Sequence, residues 1–300
     1  MMQKDCGFQD MIFESEVRMK VSIICATLGP ISEVNYLIRS IIQALQKTES
    51  SILVEFILVD QSDGFSEPCF PIFDRLHLIH IRNSMKGLSL NRNIGLTRVS
   101  GEWVMLLDSD CVVSEDYFKN FVILLHSHSD ITHFIGKIIG ANSKLPLFRN
   151  WPCKAKRLSK WMMWYYATSV NSIFKAGEDK PYFDECFGLG ARYGSCEDID
   201  FFLSLKRIRL YSPDLAVFHP EISQKELPRE KINSYSFGFG ALCAKHAFPL
   251  GVLMLLASLI KKFVDMLKGR ASLKDFACSL IFRAKGFVCY LGKRVKGGYA

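Results

Sequence analysis

The segment Trp103 to Asp110, WVMLLDSD, constrains this chain more than any other. Five apolar residues run unbroken into Asp108 and Asp110, with only Ser109 between the two acids. Such a run, bounded by polar turns, suits a strand buried on both faces, as in a parallel sheet covered by helices. The acids then fall at the strand's carboxyl end, the edge where open α/β sheets bind ligands. Two carboxylates one residue apart can hold a hydrated divalent cation against a diphosphate. Asp and Ser are also ordinary turn formers, so the segment alone leaves both readings open.

The surrounding chain repeats the same grammar. VSIICA, from Val21 to Ala26, reads as a buried strand ended by Thr27-Leu28-Gly29-Pro30, and Ser32 or Glu33 opens a helix carrying Val34, Leu37, Ile38, Ile41, Ile42 and Leu45 on one face. A second strand, Val54 to Val59, ends in Asp60 and a Gln-Ser-Asp-Gly turn. A third, Leu76 to Ile81, precedes Lys86-Gly87 and the helical segment LSLNRNIGLTRV that leads to the Trp103 strand. Strands alternating with helices at this pitch predict βαβ units and a mainly parallel α/β sheet. Downstream come GLGARYGSCEDID, from Gly188 to Asp200, and a strand-like LAVFHP ending in His219-Pro220.

Between them, Trp151, Trp161, Trp164, Tyr165 and Tyr166 are interleaved with Lys154, Lys156, Arg157 and Lys160. Aromatic and basic residues together can stack on bases, form a sugar platform or simply pack a helix. No recognisable RNA-binding module surrounds them, so packing or acceptor contact is expected and a nucleic-acid partner is not.

Charge is concentrated at one end. Residues 261–300 hold ten Lys or Arg against Asp265 and Asp275, which accounts for the whole net charge of +8 and leaves the first 260 residues neutral. A basic tail on a neutral body calls for a local anionic partner. FPLGVLMLLASLI, from Phe248 to Ile260, is almost wholly apolar but stops at Lys261-Lys262, short of the about 20 residues a spanning helix needs. Leu253, Leu256, Ile260, Phe263, Val264 and Leu267 make one helical stripe, and Leu280, Ala284, Phe287, Val288 and Leu291 a second. Helices of this kind lie in a membrane interface, basic side towards anionic headgroups, or cover the body or a partner subunit; the charge asymmetry favours the anionic membrane surface. Ten scattered cysteines without a CxxC pair read as reduced thiols of a cytoplasmic protein, and the polar leader, residues 1–17, carries no secretory signal.

From Val21 to Pro220 the chain resembles the family-2 glycosyltransferases of the GT-A fold, of the bacterial cell-surface polysaccharide type. Four separated features stand in the family order: the opening strands ending in Thr27 and Asp60, LNRNIGL before a DSD that looks like the DxD motif, the glycine loop FDECFGLG, and CEDIDFF in place of the xED motif. Cys196 stands where Gly is more usual, and TLGP replaces a TYN-type strand end.

The resemblance implies a GT-A domain over residues 18–230, with residues 231–300 as a helical, basic, membrane-associating tail. It implies inverting transfer from a nucleotide-diphosphate sugar, a UDP-sugar first, to a hydroxyl of a glycan or lipid-linked acceptor on the inner face of the cell membrane. Asp110 and His219 are the implied ligands of Mg²⁺ or Mn²⁺. Thr27, Asp60, Asn91, Arg92 and Asp108 are implied to bind the nucleotide sugar, with Asp63 and Lys86 nearby. Asp198 is the implied general base, oriented by Glu197, and Gly188, Gly190 and Asp200 are implied on the acceptor side. A nucleotidyltransferase would also use such a sheet but needs a second metal set or basic phosphate loop, and a catalytically silent scaffold is opposed by the intact Asp108, Asp110 and Asp198.

Overall fold

The computed structural model describes residues 19–49, 52–64, 67–177, 181–221 and 228–296; the polar leader lies outside them. Parallel strands β1 (Met19–Thr27), β2 (Ile52–Asp60), β3 (Leu76–Arg82) and β4 (Trp103–Leu106) form one half of a single sheet, in the order β3-β2-β1-β4. Beyond β4 the order continues through β8 (Ser172–Lys175), β6 (His133–Gly140), β9 (Arg209–His219) and β5 (Val112–Val113), with β7 (Lys156–Leu158) also on β9. Because β4 and β6 both run antiparallel to β8, and β9 runs parallel to β6, the strands β1, β2, β3, β4, β6 and β9 all point one way. The mainly parallel α/β expectation is therefore met, with β5, β7 and β8 reversed.

Helix α1 (Ile31–Gln46) buries the predicted Val34, Leu37, Ile38, Ile41, Ile42 and Leu45, and touches α3 (Tyr117–Ser127). Helix α2 (Leu88–Leu96) packs on β1 and β2. Between β4, α3 and β6, Phe121 meets both Trp103 and Phe134 edge to face, the arrangement aromatic quadrupoles favour, while Trp103 tilts against Phe134. The short α4 (Met163–Tyr166) lies against α5 (Glu197–Ser204). The aromatic cluster of the middle region is largely structural: Trp151 stacks on Tyr211, and Tyr166 fills the space beside both.

Three helices close the chain: α6 (Arg229–His246), α7 (Val252–Leu267) and α8 (Leu273–Lys296). The α6 helix is built into the body. Phe237 meets Tyr193, and Tyr290 of α8 meets both Tyr193 and Phe187. Helices α6 and α8 touch backbone to backbone, since a Cβ on Gly240 would collide with the Arg283 carbonyl and one on Gly286 with the Phe237 carbonyl. By contrast α7 keeps Leu253, Leu256, Ile260 and Leu267 exposed by half or more. Among the described residues no helix is long and apolar enough to cross a membrane.

Candidate active site

Parallel strands carry their ends to a common edge. Thr27 and Asp60 are register partners at the ends of β1 and β2, Asp108 and Asp110 follow β4 next door, and His219 ends β9 across the sheet. At the β1–β2 end Thr27 accepts a hydrogen bond from the Gly29 amide at 2.9 Å. Asp60 accepts one from the Ser62 amide at 2.8 Å and faces Nε2 of His80 at 3.4 Å. Burial works against its charge, yet these hydrogen bonds outweigh it and hold the carboxyl below its ordinary range.

Three residues expected to reach the nucleotide are engaged elsewhere. Asn91 is fully buried, with its amide donated to the Met85 and Gly87 carbonyls at 2.9 and 2.7 Å and its oxygen taken by Asn83. It braces the turn into α2. Lys86 is held by the Gln61 carbonyl at 2.7 Å and Asp63 at 2.8 Å. Arg92, 3% exposed, donates to Asp108 at 2.8 Å, to Ser169 at 2.9 Å and to Glu197 at 3.3 Å, with Phe183 across its face. Its place on α2 turns this side chain, which the resemblance gave to the nucleotide sugar, inward to join both acidic motifs.

The carboxylates of Asp108 and Asp110 remain about one-third exposed, at 38% and 34%. Nε2 of His219 lies 3.8 Å from Asp110, and Nδ1 is 2.8 Å from the Pro220 carbonyl. A carbonyl only accepts, so Nδ1 donates to it, which leaves Nε2 as the ring nitrogen on the Asp110 side. Atoms of Asp110, Cys111 and His219 all lie within 4.8 Å of one another. The Cys111 thiol is buried, and burial pushes its pKa well above the ordinary value, so Asp110 and His219 are the readier donors of the three. Glu33 adds a third carboxylate, accepting from Ser109 at 3.1 Å. Its only sequence signal is its place in the first turn of the helix after β1, which β1–β4 adjacency sets over the acids.

Opposite stand Glu197 and Asp198, which open α5. Asp198 is half-buried and accepts from the Ile199 amide at 2.9 Å and the Ser169 amide at 3.4 Å. Burial raises its pKa against the opposing pull of Arg92. Glu197 is more enclosed; burial, reinforced by the charge of Asp198, raises it to about 7. The residue before this pair, Cys196, takes the left-handed conformation with φ 68°, the geometry of the glycine usual there.

The glycine loop serves this wall. Gly188 has φ +99°, and a Cβ there would stand 2.8 Å from Oγ of Ser89 and 3.2 Å from Cγ of Glu197. Gly190, also at positive φ, lies against Gly87. The loop is stitched to α2 by Ser89 donating to the Phe187 carbonyl at 2.6 Å and the Leu88 amide donating to the Leu189 carbonyl at 3.1 Å. Asp200, expected on the acceptor side, is 4% exposed and turns the other way. One oxygen takes Lys245 at 2.7 Å and the other faces His246 at 2.9 Å, tying α5 to α6. A position three residues past the α5 start lies on the helix face that α6 covers, which linear spacing did not reveal.

The family described as Glycosyl transferase family 2 matches residues 22–187, more than half the chain. No curated protein matches it significantly. Among solved structures, Staphylococcus aureus TarS 1-349 in complex with UDP-GlcNAc is similar at 16% identity and a TM-score of 0.57, over 94% of this chain and 93% of that one. The same fragment in complex with UDP gives 16% identity and a TM-score of 0.54 over the same shares. Against S. aureus TarS the match has 16% identity and a TM-score of 0.54, covering 86% of this chain; it spans about half of that one, at 54%.

Proposed function

The chain belongs to glycosyl transferase family 2, and from that premise we propose that it moves a sugar, with inversion, from a uridine diphosphate sugar to a hydroxyl of a glycan or lipid-linked acceptor. The observation that carries this reading is Arg92, one guanidinium bonded to Asp108 on the strand edge and to Glu197 beside Asp198. It ties the two acidic sets to one guanidinium at the sheet edge, which supports their acting on the same bound molecule. That TarS 1-349 shares the fold and was crystallised with UDP-GlcNAc supports the donor class.

Asp198 is the general base of this reading. An acceptor hydroxyl becomes nucleophilic as its proton leaves, and a carboxylate whose pKa is raised by burial accepts that proton more readily than an exposed one. Glu197 and Arg92 position it, and the Ser169 amide orients its second oxygen. Asp110 and His219 fit a Mn²⁺ or Mg²⁺ ion, with Asp108 and Glu33 beside them. Such an ion supplies Lewis-acid stabilisation to the departing diphosphate. Asp60 and Thr27 line the strand edge where the nucleoside lies. The exposed apolar stripe of α7, with Lys261 and Lys268 at its margin, supports attachment to an anionic membrane surface.

The test is a donor screen with Mn²⁺, beginning with UDP-GlcNAc and following sugar transfer and nucleotide release. Asp110→Ala is expected to abolish metal-dependent donor binding. Asp198→Asn is expected to keep donor binding and lose transfer by 10²-fold or more, about the contribution of a positioned general base. Normal transfer by Asp198→Asn would remove it as base.

A further inference from the structure

Among the described residues, Arg149 forms no ion pair with a carboxylate. Arg149 lies between the rings of Trp151 and Tyr165, with its guanidinium carbon 4.9 and 5.2 Å from their centroids. Its Nη1 is buried and, among the described residues, meets no hydrogen-bond acceptor. The residue as a whole is only half-buried, so the guanidinium is reachable from one side. Burial pulls its pKa down, opposed by Tyr165 first and then by Asp198 and Tyr166.

Neighbouring contacts place it between the two chemical sides of the site. Phe148, the residue before it, sets its ring 5.5 Å from that of His219. The segment supplying Tyr165 continues to Ser169, whose amide holds Asp198. A loop with Phe148 on His219 and Arg149, next in sequence, on Tyr165 therefore borders the segment whose Ser169 amide holds Asp198. A desolvated guanidinium without a partner is costly unless an anion arrives with the ligand, and planar guanidinium groups match phosphate and carboxylate oxygens in pairs.

We propose that Arg149, held by Trp151 and Tyr165, is an acceptor-side anion receptor, gripping a phosphodiester or carboxylate next to the hydroxyl that Asp198 deprotonates. This rests on the glycosyl-transfer reading and narrows its acceptor to anionic polymers or oligomers. Three probes of equal length separate the sources: a hexameric glycerol phosphate, hexagalacturonate and neutral maltohexaose. Each is titrated calorimetrically into the full chain saturated with UDP and Mn²⁺, which keeps the leaving-group site filled.

The wild type is expected to bind one of the two anionic hexamers at least about tenfold more tightly than maltohexaose. Arg149→Met is expected to erase that preference, Arg149→Lys to keep part of it, and both to bind UDP as the wild type does. Arg149→Met removes an unpaired buried charge, so its thermal midpoint is expected to stay level or rise. Equal wild-type affinity for all three probes, or an anionic preference that survives in Arg149→Met, overturns the proposal. So does loss of UDP affinity in that variant, which would give the guanidinium to the leaving diphosphate. A wild type that binds no UDP but still takes an anionic hexamer through Arg149 would refute the transferase reading and leave the anion site standing.

Discussion

Arg92 decides how the acidic walls of the cleft behave. Its guanidinium is bonded to Asp108 and Glu197, so removing it orphans a buried carboxyl. Arg92→Met is expected to cost about 3 kcal/mol at pH 8, read by urea denaturation, and less at pH 5.5, because the stranded carboxyl then takes up a proton. Glu197 makes its own pH signature. Its pKa rises from 4.5 unfolded to about 7 folded, so between those values the unfolded chain sheds a proton that the folded one keeps. Stability is thus lost as pH climbs from 4.5 to 7, by at most about 3 kcal/mol, and the penalty is constant above that. In Glu197→Gln this loss is expected to vanish, so the stability gap between variant and wild type should widen with pH across that window. A constant gap would show that Glu197 titrates normally. The acids themselves were legible in DSD and CEDID; the cation joining them was not, because the sequence shows Arg92 on a helix but not which way the helix faces.

At the scale of elements, the strand-end acids, the glycine loop and the start of α5 form one interlocked unit. Gly188→Ala would force a methyl group against Ser89 and Glu197 while requiring positive φ, so a loss of about 2–3 kcal/mol and a fall in transfer rate are expected. Cys196 tests the same unit from the opposite direction. Relief of a left-handed backbone is worth about 1–2 kcal/mol, and loss of a partly buried thiol offsets part of it. Cys196→Gly is therefore expected to shift stability by no more than about 1 kcal/mol with transfer intact, whereas Cys196→Val, β-branched at positive φ, should lower the thermal midpoint markedly. Hydrophobic periodicity had marked β1, α1, β2, β3, α2, β4 and β9, since buried faces write themselves into a local pattern. The reversed strand β8 and the two-residue β5 are too short to carry one.

Across the whole molecule, the C-terminal helices brace the candidate site on one side and leave an apolar face of α7 outside. Lys245 bridges Asp184 and Asp200 at 2.7 Å each, so α6 holds the glycine-loop approach and α5 together, while α7 leaves its apolar stripe outside. Replacing Leu256, Ile260 and Leu267, 51%, 64% and 67% exposed, by Glu is expected to leave the thermal midpoint within a few degrees of the wild type. It should abolish co-sedimentation with phosphatidylglycerol vesicles; phosphatidylcholine vesicles serve as the neutral control, and unchanged sedimentation would remove the stripe from membrane binding. Residue order alone determined the alternation of strand and helix, the acids at the strand ends and the basic bias of the tail, because these follow from local burial period and charge count. Only the tertiary structure decided that Arg92 faces inward, that Asp200 anchors α6, and that Arg149 lies between Trp151 and Tyr165 with Nη1 unpaired among the described residues. Those outcomes depend on which helix face meets which neighbour, and residues 77 or 105 positions apart share a hydrogen bond only once the sheet has set its helices against one another.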